Sequence, residues 1–249
     1  MDAQRIDGAN EALKVFCECA NAMRTRKLIR RESSQDKEFH FQNWIRDRLR
    51  ETRLAFDTGG RNSYPDFRLV AHTVGFEVKG LRYPGREATY DSNSQVPTGF
   101  HNGRSIYYVF GRYPTDQEDE REYPVIDLVI CHGDFLNADH DYVHQNKNVK
   151  GFGTYGDIMI RDRKMYVAPT PFALLEGATA QRTLLLPADQ RVDKRLVSVG
   201  KIERVEADQL VVGYNFDLRK NILRPEFAPN PGAGQAHRFV AYRAVGTEG

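Results

Sequence analysis

Residues 66–71 and 74–81 form two apolar runs separated only by His72 and Thr73. A connection that short cannot hold the crossover needed to join parallel strands, so the two runs must fold back on each other as an antiparallel hairpin. Successive side chains of a strand point to opposite faces. Glu77 and Lys79 therefore share one face of the second strand, and Phe76 and Val78 share the other. The hairpin lays Asp66 beside Glu77, which brings two carboxylates and an ammonium within a few ångströms of one another.

Two adjacent carboxylates repel, and a hard divalent cation relieves the repulsion with the oxygen ligands it prefers. The triad therefore asks for Mg²⁺ at Asp66 and Glu77, with Mn²⁺ as a substitute. Lys79 is placed to orient or deprotonate an attacking water while the metal polarises a phosphoryl oxygen. The competing reading is an ordinary i,i+2 ion pair on the exposed face of an edge strand, with Asp66 acting only as a turn former.

Helical periodicity precedes the hairpin. Ala12, Phe16, Ala20 and Met23 predict an amphipathic helix over residues 9–24, followed by the basic cluster Arg24, Arg26, Lys27, Arg30 and Arg31. A second helix is expected from about Gln35 to Glu51, behind Ser33 and Ser34 as N-caps, with Phe41, Ile45 and Leu49 on its buried face. Glu38 falls on that same face, where an acid needs a reason to be.

Pro65-Asp66, ten intervening residues and then Glu77-Val78-Lys79 resemble the PD-(D/E)xK phosphodiesterase superfamily, which includes most type II restriction endonucleases. The resemblance spans residues 35 to about 131. It implies a restriction-endonuclease-like α/β (mixed) core, with a central mixed β-sheet flanked by helices. It also implies that Asp66 and Glu77 bind Mg²⁺, that Lys79 assists the water nucleophile, and that Glu38 supplies a further acid from the preceding helix. The expected activity is hydrolysis of double-stranded DNA at a short specific sequence. A homodimer is expected because two-fold symmetric proteins read palindromic sites, and a cognate DNA methyltransferase is implied as a partner. A structure-specific repair nuclease or junction resolvase would use the same triad, and a non-catalytic DNA-binding module would retain only the fold.

DNA contacts call for cations and amides. Residues 82–104 read as a long binding loop offering Arg86, Asn93, Gln95, Asn102 and Arg104, and Lys147, Lys150, Arg161, Arg163 and Lys164 are further phosphate contacts. The overall balance of 36 Lys and Arg against 34 Asp and Glu leaves a net charge of only +2, so a basic cleft must be local. Residues 106–113 (IYYVFGRY) and 125–131 (VIDLVIC) predict central strands, and residues 158–160 with 165–168 predict a second hairpin. A short helix is expected within residues 134–146, where His140 and His144 beside Asp139 and Asp141 suit a polar surface. The glycine-rich stretch 151–156 lacks the Gly-Lys-Ser/Thr ending of a phosphate-binding loop.

The chain divides on this reading into a core, residues 1–183, and a small β-rich extension, residues 184–249, for DNA binding or dimerisation. Pro225, Pro229, Pro231, Gly232 and Gly234 mark an irregular stretch before a last strand. Three cysteines are too few and too badly spaced for a zinc cage or a disulfide framework. There is no apolar run of membrane-spanning length and no basic, apolar leader, so a reducing cytoplasm is the expected location and no membrane is expected.

Overall fold

The computed structural model describes residues 8–31, 37–59, 63–85, 87–93, 96–114, 121–139, 153–162, 165–175 and 182–245. In chain order the elements are α1 (Gly8–Arg24), β1 (Ile29–Arg30), α2 (Lys37–Glu51), β2 (Phe56–Thr58), β3 (Phe67–Leu69), β4 (Val74–Tyr83), β5 (Thr89–Asn93), β6 (Phe100–His101), β7 (Arg104–Pro114), β8 (Glu122–Tyr123) and β9 (Asp127–His132). They continue through β10 (Met159–Asp162), β11 (Met165–Pro169), α3 (Pro171–Leu174), β12 (Thr183–Pro187), β13 (Leu196–Val205), β14 (Gln209–Asp217), β15 (Ile222–Pro229) and β16 (Ala236–Ala244).

The fold is mixed α/β. A large sheet runs in the order β13-β16-β12-β9-β7-β4-β3-β2, with β6 paired to β7. It is mixed: β4 pairs parallel with β7 and β12 parallel with β9, while β7 and β9, and β12 and β16, are antiparallel. Strands β4, β7 and β9 lie inside it, and β9 is buried along its whole length, which is why their segments carry continuous apolar runs rather than simple alternation.

The sheet is covered on both faces. One face packs Val74, Phe76, Val78, Val109 and Ile130 against α1 and α2 through Phe16, Phe41, Ile45 and Leu49. The other packs Ile106, Tyr108, Phe110 and Cys131 against Tyr90, Ile158 and Tyr166 of a small antiparallel sheet, β10-β11-β5. The seat of α2 depends on two facing glycines, Gly80 and Gly111. A Cβ on Gly111 would lie 2.1 Å from Phe41 Cζ, and one on Gly80 would lie 3.2 Å from Phe41 Cβ. The Phe41 ring occupies space that side chains would otherwise fill.

Several sequence expectations need correction. Residues 82–104 do not form one long loop: β4 extends to Tyr83, β5 pairs with β11, and β6 turns back onto β7. The partners of β4 and β5 are distant in sequence, and β6 is only two residues long, so the local turn residues concealed the strands. The stretch around Pro225 and Pro229 is the strand β15, which pairs only with β14. A strand with one unpaired edge can hold proline, because the missing N–H can face outward. Within residues 134–146 the described part forms a 3-10 turn, Gly133–Phe135, and residues 140–146 lie outside the described residues.

The region from residue 184 onward is rich in strands, and β12 and β16 join the large sheet through β9. The β14–β15 hairpin stands as a separate two-stranded ribbon. Cys17, Cys19 and Cys131 are free thiols, with Cys19 and Cys131 fully buried. No helix among the described residues is long and apolar enough to cross a membrane.

Replacing Gly111 by Ala should force the Phe41 ring out of its seat. The expected cost is about 1–3 kcal/mol of stability, read as a lower urea midpoint with an unchanged m-value.

Candidate active site

The site is built by the pairing of β3 with β4. Phe67 lies opposite Phe76 and Arg68 opposite Gly75, so continuing the register by one residue sets Asp66 against Glu77. The backbone then locks the carboxylates. Val78 N donates to Asp66 Oδ2 at 2.8 Å, and Asp66 N donates to Glu77 Oε2 at 3.3 Å. Gly75 permits this close fit, because a Cβ there would meet Pro65 Cγ at 2.4 Å and displace the residue that leads into Asp66.

Lys79 completes the triad. Its Nζ lies 2.8 Å from Glu77 Oε1, and the two side chains are 16% and 12% exposed. Strand β4 pairs with β7 along its length and with β3 at residues 75 and 76, and the low exposure of both side chains sets this pair apart from a solvated ion pair. A charge buried to this degree costs free energy unless it is paired and hydrogen-bonded, and each member of the triad has such a partner.

A fourth side chain comes from α2. Gln42 Nε2 donates to Asp66 Oδ1 at 3.0 Å, and the Phe41 seat on the sheet is what brings the neighbouring residue to that position. Glu38, the acid expected from this helix, has its side chain outside the described residues. Gln42 lies one helical turn later on the same stripe of the helix, and an amide at this phase carries no signal of an acid's role in the sequence.

Aromatic residues form the surroundings. Glu77 is in parallel register with Tyr108, whose hydroxyl is 2.8 Å from that of Tyr64. His101 stands edge-on to the Tyr64 ring at 4.9 Å. Burial first, and the Glu77 carboxylate after it, push the Tyr108 phenol up, and burial does the same to Tyr64 and Tyr90. These phenols stay neutral beside the acids.

The donor set fits a hard cation. Two carboxylates on adjacent strands offer the oxygen ligands that Mg²⁺ takes, with its remaining positions left to water and phosphate. Among the described residues no three His, Cys, Asp or Glu gather as a metal cage.

Of the residues expected to touch DNA, Asn102 and Arg104 have described side chains. Arg104 Nη1 donates to the carbonyls of Leu69 and His72, each at 2.8 Å, and so braces the turn of the β3–β4 hairpin. Asn102 is exposed at a tight turn with φ 47, its amide 3.0 Å from His101 Nε2. Asn93 lies on β5 and Arg161 on β10, with their side chains outside the described residues; Arg86, Gln95, Lys147, Lys150, Arg163 and Lys164 lie outside them altogether, as do His140, Asp141 and His144. In the 151–156 stretch, Thr154 is tied to Asn137 and Ala138 by hydrogen bonds, a structural role.

No family model, curated protein or solved structure matches this chain.

Gln42→Leu removes the donor to Asp66 Oδ1. We expect a loss of about 1–2 kcal/mol in urea unfolding at neutral pH. Gln42→Glu should destabilise in EDTA and regain stability with Mg²⁺, because a third carboxylate raises the repulsion that a cation relieves.

Proposed function

We propose that the protein is a Mg²⁺-dependent endodeoxyribonuclease resembling type II restriction enzymes, which hydrolyses phosphodiester bonds of double-stranded DNA at a short specific sequence. The observation that carries this reading is the juxtaposition of Asp66 and Glu77 on adjacent strands, with Lys79 at 2.8 Å from Glu77 on an interior strand. A buried strand rarely holds two acids and a lysine without a use for them, and metal-assisted phosphodiester hydrolysis can use this combination.

Mg²⁺ bound at Asp66 and Glu77, with Mn²⁺ as a substitute, supplies charge neutralisation on the phosphoryl oxygens and acidifies water. The protein's own residues do the rest. Gln42 and Val78 N fix the Asp66 carboxylate so that its direction survives the change of charge at phosphorus. Lys79, held by Glu77, directs the attacking water in line with the leaving oxygen. The bond formed joins water oxygen to phosphorus, and the bond broken joins phosphorus to the departing oxygen. Palindromic sites would be read by a homodimer, one strand cut by each protomer, and a methyltransferase of matching specificity would protect the host DNA. A cytoplasmic location fits that role.

The test is incubation of supercoiled plasmid and phage DNA with the protein in Mg²⁺, in Mn²⁺ and in EDTA. Discrete bands in either metal and none in EDTA are expected. Asp66→Ala and Lys79→Ala should each lower the cleavage rate by about 10²–10⁴-fold, measured below the lowered thermal midpoint of each variant. Smears or nicking would point to a structure-specific repair nuclease, and intact DNA under every condition would leave a binding module.

A further inference from the structure

A basic groove of about 600 Å³ is lined by Arg46, Arg50, Arg53, Leu54 and Ala55 from α2 and the segment after it and by Phe56 and Thr58 from β2. It contains three guanidinium groups and no acid among its described lining residues. Phe56 and Thr58 line it from β2, so strand alternation turns Asp57 to the opposite face. Arg46 Nε is buried without a hydrogen-bond partner among the described residues. Among the described residues Arg50 pairs with Asp47, at 3.1 Å, with both side chains more than half exposed, which holds it weakly.

The position of these arginines is what gives the groove a direction. Gln42, Arg46 and Arg50 follow one another at four-residue steps on α2, so they form one stripe along the helix. The stripe starts at Asp66, which Gln42 contacts. It then runs about 12 Å from Gln42 to Arg50 at roughly 1.5 Å per residue, and Arg53 extends it past the helix end. The β2 wall points the same way: Thr58 pairs with Phe67, the neighbour of Asp66. Such a length spans three to four phosphates of one DNA strand at about 3.4 Å of axis each.

We propose that Arg46, Arg50 and Arg53 form a track for the sugar-phosphate backbone of duplex DNA, leading one strand to the site at Asp66 and Glu77. The choice of DNA as the polyanion rests on the nuclease reading above; the track itself rests on the stripe and the groove. Guanidinium groups pair with phosphate oxygens through fixed pairs of N–H donors. Contacts of this kind position the backbone and carry no sequence information. The track therefore supplies affinity and register, and base reading falls to other parts of the chain.

The test measures binding of a labelled duplex by fluorescence anisotropy in EDTA, at several salt concentrations, with the full-length protein. Arg50→Ala combined with Arg53→Asn is the main variant, since both positions are exposed and Asn tolerates the φ of 60 at residue 53. It should lower the slope of log affinity against log salt by about 2 and weaken binding at least tenfold at low salt, equally for unrelated duplex sequences. Arg46→Gln should lower the slope by about a further 0.9, and Arg50→Lys should restore most of what Arg50→Ala removes. An unchanged slope and affinity in the double variant, or no duplex binding by the unmodified protein, overturns the track. The two readings fail separately. Loss of binding in the arginine variants alongside an unmodified protein that never cuts DNA leaves the track standing and removes the nuclease. Cleavage and binding that survive the arginine substitutions remove the track alone.

Discussion

The register between β3 and β4 is the constraint on which the site depends. Because Phe67 faces Phe76, Asp66 comes to Glu77, and the two backbone hydrogen bonds between these residues hold the carboxylates in place. A slip of one residue would turn Phe76 and Val78 away from the helices and put Glu77 and Lys79 into that core. The apolar packing on one face therefore enforces the charged geometry on the other. Arg104 adds to this by bonding the carbonyls at residues 69 and 72, which fixes the ends of the hairpin turn.

Burial explains why the triad is assembled as a unit. Glu77 is only 9% exposed, and Lys79 approaches it on a strand flanked by two others. Removing one partner would leave the other charged in a poorly solvated place, with a cost greater than the pair contributes. The neutral tyrosines Tyr64 and Tyr108 exclude bulk water without adding charge. Electrostatic effects at phosphorus would be strengthened in such surroundings, since fewer solvent dipoles screen them.

Helix α2 connects the core, the site and the basic groove. Phe41, Ile45 and Leu49 bury its inner face, and the glycine pair on β4 and β7 lets Phe41 reach the backbone of the sheet. One residue further round the helix, Gln42, Arg46 and Arg50 run from the carboxylate outward. The same 3.6-residue period that seats the helix thus aligns a stripe of polar groups with the sheet edge, and the depth of the seat sets how far Gln42 extends toward Asp66.

The β3–β4 hairpin and the two long helices were legible in the sequence because their determinants are local. A two-residue gap forces the hairpin, strand alternation separates Glu77 and Lys79 from Phe76 and Val78, and the helical period marks Phe16, Phe41, Ile45 and Leu49. What the sequence could not supply was which distant segments pair. The joining of β5 to β11 and the parallel pairing of β12 with β9 depend on partners tens of residues away, and the acceptance of Pro225 depends on which edge of β15 is left open. Gln42 was hidden for a related reason: its role exists only once Phe41 has found Gly80 and Gly111 across a gap of sequence. Local periodicity determined the elements and their charged faces, while long-range packing, which decides which backbone edges and side chains meet, was settled only in the folded chain.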